Sequence, residues 1–227
     1  TININNRESI MKINSVLGPI DVESLGSTLI HEHLGIGWTG WELDHQDFDR
    51  KKACDKAVDK LKELRDLGIT SFVDPCPMEL GRDPEFAAEV SEKSGIQIVI
   101  ATGLYNDALG IPPHFRLMDI DGIAEHYVNE IEEGIGKTGI KPGIIKTAIG
   151  GIHGITEAGR GIQESEIKCL RAAARASNAT STPILCHNDE MEPLGRETLD
   201  IFEEENVDFN KVLIGHGCGV GDMRYYL

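Results

Sequence analysis

The sequence lacks a cluster of basic residues and has no long apolar run. Over 227 residues it carries 22 Lys and Arg against 38 Asp and Glu, which gives a formal net charge of −16. Proteins that bind nucleic acid present clustered Lys and Arg to the phosphates, so the composition excludes that class of partner. No run approaches the ~20 apolar residues that a membrane span needs. We therefore expect a soluble chain with neither nucleic acid nor membrane as its partner.

The sequence also lacks paired cysteines and a secretory signal. Its five cysteines are scattered and include no Cys-x-x-Cys pair, which indicates reduced thiols rather than a disulfide framework. The first seven residues are polar and lack the apolar core of a signal peptide. These features predict a cytoplasmic protein.

Six short apolar runs alternate with amphipathic stretches. The runs are rich in Ile, Val and Leu and end in small or polar residues, which is typical of strands buried on both faces of a parallel sheet. Strands are predicted over 28–34, 70–74, 96–102, 143–149, 183–187 and 211–216. Helical spacing and end signals predict helices over 51–67, 83–95, 123–135, 164–176 and 194–205. A hairpin around Gly18-Pro19 precedes them, and the glycine-rich stretch 150–161 is predicted to be a mobile loop.

A strand followed by a helix, six times over, predicts an α/β fold with a parallel sheet. The sheet is either a barrel or doubly wound. No Gly-x-Gly-x-x-Gly fingerprint follows the first strand, which disfavours the dinucleotide-binding version of the doubly wound sheet. No linker or composition break divides the chain, so 1–227 is predicted to be one domain.

Four histidines and one lysine occupy the predicted strands. His31 and His33 end the first strand as His-Glu-His, and strand alternation places both rings on one side. Lys146 lies within an otherwise apolar run, His187 ends the fifth strand and His216 ends the sixth. In a barrel, the carboxyl ends of the strands converge on the active site. The five side chains are therefore expected to meet.

Each of these residues also has a structural interpretation. A strand-end histidine is often only a hydrogen-bonded residue, and Lys146 could be an edge-strand lysine with its amine in water. Burial among apolar residues would instead lower the pKa of Lys146 and favour its neutral amine. A neutral amine can take up CO2 and become an anionic carbamate that bridges two cations, and we advance this as a hypothesis for Lys146.

Several short sequence segments, taken together in their order along the chain, carry a resemblance to a known family. They run from the hairpin and Thr-Leu-Ile-His-Glu-His-Leu through Phe-Val-Asp-Pro and Gly-Arg-Asp. They continue through Ala-Thr-Gly-Leu-Tyr, Gly-Ile-Ile-Lys, Leu-Arg-Ala-Ala-Ala-Arg-Ala and Ile-Gly-His. With these segments the chain resembles, over nearly its whole length, the phosphotriesterase-like branch of the amidohydrolase superfamily, which includes phosphotriesterases and lactonases.

The resemblance implies a (β/α)8 TIM-type barrel with two divalent metals, most commonly Zn²⁺, with Co²⁺, Mn²⁺ or Fe²⁺ as alternatives. By matching positions, His31 and His33 would hold the more buried metal and carboxylated Lys146 would bridge the pair. His187 and His216 would hold the more exposed metal, and a bridging hydroxide would be the nucleophile. Tyr105 matches a tyrosine that faces the metals in lactonases, although packing at the pocket wall is an equal alternative.

The chain departs from the family pattern at two places. Six βα units are expected, so strands seven and eight, with the aspartate ligand of the eighth, would be missing, and Asp222 is not assigned in its place. Gly217-Cys218-Gly219 stands where an acidic residue often follows the sixth-strand histidine.

The remaining candidates receive structural interpretations. Arg82 and Asp83 are expected to be structural. Cys76 shares a strand face with Asp74 and could approach the lumen, but it is expected to be a buried inert thiol. Cys186 is expected to point away from His187 towards the helices. The other histidines, which lack a ligand motif, are His45, His114, His126 and His153.

The resulting prediction is a binuclear metal hydrolase of lactones, carboxyl esters or phosphotriesters. A small-molecule substrate is expected, and a homodimer is compatible with the sequence. Two alternatives remain: an inactive barrel that at most binds metal, and a different amidohydrolase acting on amides or urea-type substrates. The Gly-Arg-Asp and Ala-Thr-Gly-Leu-Tyr segments argue against the second alternative.

Overall fold

The computed structural model describes residues 11–151, 159–189 and 194–217. It begins with an antiparallel hairpin of β1 (Lys12–Ser15) and β2 (Gly18–Asp21). The hairpin is confirmed, but its turn is at Val16 and Leu17 rather than at Gly18-Pro19. Val16 is buried and donates its N–H to the carbonyl of Ile98 at 2.8 Å, which anchors this turn against the sheet.

Six parallel strands form the main sheet. Each strand pairs with its neighbour in sequence, in the order β3 to β8. They are β3 (Thr28–Leu29), β4 (Ser71–Asp74), β5 (Gln97–Gly103), β6 (Ile144–Ile149), β7 (Ile184–Asn188) and β8 (Val212–Ile214). A doubly wound sheet reverses its strand order, so this sequential order is that of a barrel.

The sheet is curled. His31 follows β3 and His216 follows β8, and their ring centroids are only 5.1 Å apart although these strands are the first and last of the sheet. The two outer strands therefore approach each other at their carboxyl ends. The predicted α/β class and the six parallel strands are confirmed, and the structure is a partial TIM-type barrel. A helix after β8 would lie outside the described residues.

Seven α-helices occur in the described parts of the chain, and the longer ones cover the outside of the sheet. They are α1 (Trp41–Asp44), α2 (Arg50–Asp66), α3 (Pro84–Ser94), α4 (Pro113–Leu117), α5 (Ile120–Glu133), α6 (Glu164–Thr180) and α7 (Gly195–Glu204). The five predicted helices are present, and α1 and α4 are additional short ones. No helix in the described ranges is both long enough and apolar enough to cross a membrane.

Two helices differ from their predicted bounds for local reasons. Helix α5 begins three residues before the predicted start, because the Asp119 carboxylate accepts the N–H of Gly122 at 2.8 Å and caps it. Helix α6 ends at Thr180 instead of the predicted residue 176, an extension that the apolar pattern does not indicate because the last turn is mostly polar. That turn is held by Ser177, whose hydroxyl donates to the carbonyl of Thr182 at 2.7 Å.

The two outer strands are shorter than predicted. Strand β3 ends at Leu29 instead of residue 34. Beyond it, the backbone N–H of Glu32 donates one hydrogen bond to the carbonyl of Val73 on β4 at 3.2 Å. Strand β8 ends at Ile214, because His216 adopts a left-handed backbone conformation with φ 59°. Both histidine segments therefore lie on irregular backbone at the mouth of the barrel.

Side chains fill both faces of the sheet. The inner face carries Val73, Val99, Ala101, Ile144 and Leu185, and the outer face packs against the helices. Burial on both sides explains why the strands are continuous apolar runs rather than alternating ones.

Candidate metal centre

Lys146 lies at the centre of the barrel mouth. It is on β6, on the same face as Ile144 and Ala148, and its side chain is fully buried. Its Nζ lies 3.1 Å from His31 Nε2. Desolvation lowers the pKa of Lys146 to about 7, so a large share of the amine is neutral near neutral pH. The lysine predicted from its apolar run is therefore buried inside the barrel and is not an edge residue.

Three histidines form a group at this mouth, and one of them, His31, contacts the lysine. His31, His187 and His216 each offer a ring nitrogen, and these atoms all lie within 4.8 Å of one another. Burial, reinforced by the charge of Lys146, lowers the pKa of His31 to about 3 and that of His187 to about 2. Neutral imidazoles are the form that binds metal ions, so this group is chemically suited to a divalent cation.

His33 belongs to a second group next to the first. Its Nδ1 lies 2.9 Å from Cys76 Sγ and 3.4 Å from Asp74 Oδ1. The ring centroids of His31 and His33 are 5.8 Å apart. The two rings are neighbours, as predicted. Strand alternation is not the reason, because β3 ends at Leu29 and both histidines lie beyond it. Which residue serves which metal stays a prediction.

Tyr105 reaches the same pocket from the end of β5. Its hydroxyl lies 3.2 Å from His187 Nε2, and its side chain packs with Cys76, Leu80 and Ala148. Burial raises the pKa of Tyr105 well above its ordinary value of 10, so the phenol keeps its proton. Tyr105 therefore packs at the wall and presents its hydroxyl to His187, and its role towards a substrate stays a prediction.

Sequence reasoning favoured a buried inert thiol for Cys76 and missed the contribution of Asp74 to this mouth. The Asp74 carboxylate accepts the N–H of Cys76 at 3.0 Å and the N–H of Leu34 at 3.2 Å. It thereby ties the end of β4 to the loop that carries His33. The available signal was the position of Asp74 and Cys76 directly at the end of a buried strand, where polar side chains face the mouth of a barrel.

The residues expected to be structural have structural contacts. Arg82 donates to both carboxylate oxygens of Glu130 at 2.7 Å and to the carbonyl of Ala101 at 3.0 Å. Asp83 caps α3 by accepting the N–H of Phe86 at 2.8 Å. Cys186 packs among the helices, on the opposite face from His187.

The other histidines occupy different places. His45 and His114 are exposed. His126 is on α5, and its Nε2 lies 3.5 Å from Glu130 Oε1 on the same helix. His153, Cys218 and Asp222 lie outside the described residues, as does most of the loop 150–161 that is predicted to be mobile.

Comparison with known proteins identifies similar sequences over nearly the whole chain. The sequence model of the phosphotriesterase family matches residues 11–227. A protein named phosphotriesterase homology protein from Mycobacterium tuberculosis is 36% identical over 219 residues, covering 92% of this chain and 64% of that protein. The aryldialkylphosphatase of Saccharolobus solfataricus is 34% identical over 213 residues, covering 91% and 63%. The phospho-furanose lactonase of Mycoplasmopsis agalactiae is 32% identical over 225 residues, covering 94% and 62%. The chain thus spans less than two thirds of the length of these relatives.

Proposed function

Since this chain belongs to the phosphotriesterase family, we propose that it acts as a metal-dependent hydrolase of lactones and similar carboxyl esters, with phosphotriesters as a side activity. The observation that carries the proposal is the fully buried Lys146 beside His31, with His187 and His216 converging on the same point. A buried amine surrounded by neutral imidazoles has no role in packing an apolar core, but it suits a metal centre.

The donor set fits two divalent cations. In the proposed arrangement His31 and His33 would hold the more buried ion, His187 and His216 would hold the more exposed one, and Lys146 would serve as a ligand shared by both. Imidazole nitrogen together with a carboxylate-type oxygen suits Zn²⁺ best, and also Co²⁺, Mn²⁺ or Fe²⁺. When bound, such ions lower the pKa of water towards neutrality and polarise a carbonyl or phosphoryl oxygen.

Lys146 is proposed to act as a carbamate. Its amine nitrogen forms a bond to the carbon of CO2, and one proton leaves to solvent. The product is an anion in place of a neutral amine, and its two oxygens would be available as metal ligands. The pKa of about 7 supports this step, because only the neutral amine has the lone pair that attacks CO2.

Tyr105 is proposed to position the substrate. Its hydroxyl now faces His187 Nε2 at 3.2 Å. Once that nitrogen is engaged as a ligand, the protonated hydroxyl can donate to an oxygen of the substrate instead.

The substrate classes in the proposal follow two of the relatives, which are named as an aryldialkylphosphatase and a phospho-furanose lactonase. We further propose a cytoplasmic protein that acts on small molecules; the homodimer stays a prediction.

The substitution Lys146→Ala tests the proposal. We expect bound metal to fall and hydrolysis of lactones to be lost, with partial recovery when a short carboxylic acid is added to replace the bridging anion. Native mass spectrometry of the unsubstituted chain should show the mass of one added CO2. If Lys146→Ala kept its full metal content and rate, the bridged centre would be wrong, and the inactive-barrel alternative predicts no turnover in either protein.

A further inference from the structure

We propose that Cys76 and Asp74 are metal ligands that act together with His33, so that the ion held by His33 has a sulfur donor. His33, Asp74 and Cys76 are called the cysteine cluster below. This inference deepens the proposed metal centre and rests on it, but it concerns donor atoms that neither the family resemblance nor the sequence pattern assigns.

The geometry of the cysteine cluster is close to that of a coordination shell. One donor atom from each of its three residues lies within 4.8 Å of the others. His33 Nδ1 is 2.9 Å from Cys76 Sγ and 3.4 Å from Asp74 Oδ1. A tetrahedral zinc ion, with Zn–N of ~2.0 Å and Zn–S of ~2.3 Å, separates its donors by roughly 3 to 4 Å. Small side-chain rotations therefore open the cluster enough to admit an ion.

Backbone hydrogen bonds hold the Asp74 carboxylate in place before any ion binds, and Cys76 is buried beside it. Asp74 and Cys76 are 7% and 3% exposed, and the Asp74 carboxylate accepts backbone N–H groups from Cys76 and Leu34. A carboxylate has about four lone-pair sites, so Asp74 keeps acceptor capacity for a cation. Backbone hydrogen bonds to a ligand oxygen are the usual support of a protein metal site.

The chemistry of the cysteine cluster selects among metals. Thiolate is a soft ligand and imidazole a borderline one, so the cluster favours Zn²⁺ over Mg²⁺ or Ca²⁺. As the Sγ–metal bond forms, the thiol proton leaves to solvent and no atom changes its oxidation state. A cavity of about 550 Å³ is lined by all three residues of the cluster and provides the access route that an ion needs.

Cobalt spectroscopy of the full chain tests the inference. Loaded with Co²⁺, the chain should show a sulfur-to-cobalt charge-transfer band in the near ultraviolet, and Cys76→Ser should abolish it. Cys169→Ser is the matched control, because Cys169 is also 3% exposed but lies on α6, in the core; this variant should keep the band. Absence of the band from the unsubstituted chain, or its persistence in Cys76→Ser, overturns the inference.

A second measurement covers the case in which Cys76→Ser does not fold. X-ray absorption of the unsubstituted, zinc-loaded chain should reveal a sulfur scatterer at about 2.3 Å. A shell of nitrogen and oxygen alone would overturn the inference. Failure of the proposed function is separable: a sulfur ligand without lactone turnover rejects the hydrolase, whereas turnover without a sulfur ligand rejects only the role of Cys76.

Discussion

Lys146 and Tyr105 show how burial sets the chemistry of single residues at the barrel mouth. Desolvation lowers the pKa of Lys146 and raises that of Tyr105, so both groups favour their neutral forms. One neutral group is then a nucleophilic amine and the other a hydrogen-bond donor. The same property explains what the sequence could predict: a lysine within an apolar run is conspicuous, whereas an ordinary aromatic residue at a strand end is not.

The substitution Tyr105→Phe should slow lactone hydrolysis about tenfold and leave the metal content unchanged. The loss corresponds to one hydrogen bond to the substrate, worth about 1.4 kcal/mol. Tyr127→Phe is the matched control, since the Tyr127 hydroxyl is fully buried and has no hydrogen-bond partner in the described parts of the chain. Steady-state kinetics together with metal analysis gives the answer. An unchanged rate in Tyr105→Phe would assign this residue to packing alone.

At the scale of elements, strand ends and helices position the site through a few specific contacts. Strands β4 to β7 were predictable because burial on both faces makes them continuous apolar runs. The shortness of β3 was not, because Ile30 and Leu34 extend the apolar positions past Leu29, whereas the structure holds this segment through Asp74 from β4 instead of by a full ladder. The role of Asp74 is a tertiary contact between residues 40 positions apart, which no local pattern reveals.

The close approach of β5 to β6 depends on Gly103. This residue has φ 112°, and a Cβ atom there would overlap the carbonyl oxygen of Lys146. Gly103→Ala should therefore lower the free energy of unfolding by about 3 kcal/mol and disturb the lysine as well. Gly136→Ala, also at positive φ but with open space around it, should cost only about 1 kcal/mol. Urea unfolding compares the two variants, and equal costs would show that the contact with β6 is unimportant.

Glu130 on α5 is joined to Arg82 and Thr102 in a buried network. Burial by itself would raise the pKa of Glu130, but hydrogen bonds and charge from Arg82, together with the Thr102 hydroxyl, hold it below its ordinary 4.5. A lowered pKa in the folded state means that the stabilisation is present above pH ~4.5 and is lost as the pH falls through the folded-state pKa.

Glu130→Gln should consequently reduce the free energy of unfolding at pH 7 by about 3 kcal/mol, because it leaves Arg82 buried without its counter-ion. The difference from the unsubstituted chain should shrink below pH ~4.5. Urea unfolding across this pH range measures both effects, with the exposed Glu204→Gln as a control that should change little. A difference that stays constant down to pH 3 would contradict the assigned role of the carboxylate.

At the scale of the whole molecule, the barrel brings together side chains that are far apart in sequence. His31 and His216 are the extremes of the candidate site, and they meet because six sequentially paired strands curl the sheet. The convergence of the four histidines and Lys146 was predictable, since a βα repeat sends all carboxyl strand ends to one face. The separation of His33 from the group of His31, His187 and His216 was not predictable, because it depends on irregular backbone at both outer strands.

The most direct test of the central claim is a metal titration of the metal-free chain, with lactone hydrolysis measured at each point. The claim that the histidines and Lys146 form a metal-dependent hydrolytic centre predicts that the rate rises with bound Zn²⁺ and saturates at about two equivalents. Stoichiometric binding without any hydrolysis of lactones or phosphotriesters, or hydrolysis that is independent of bound metal, would contradict it.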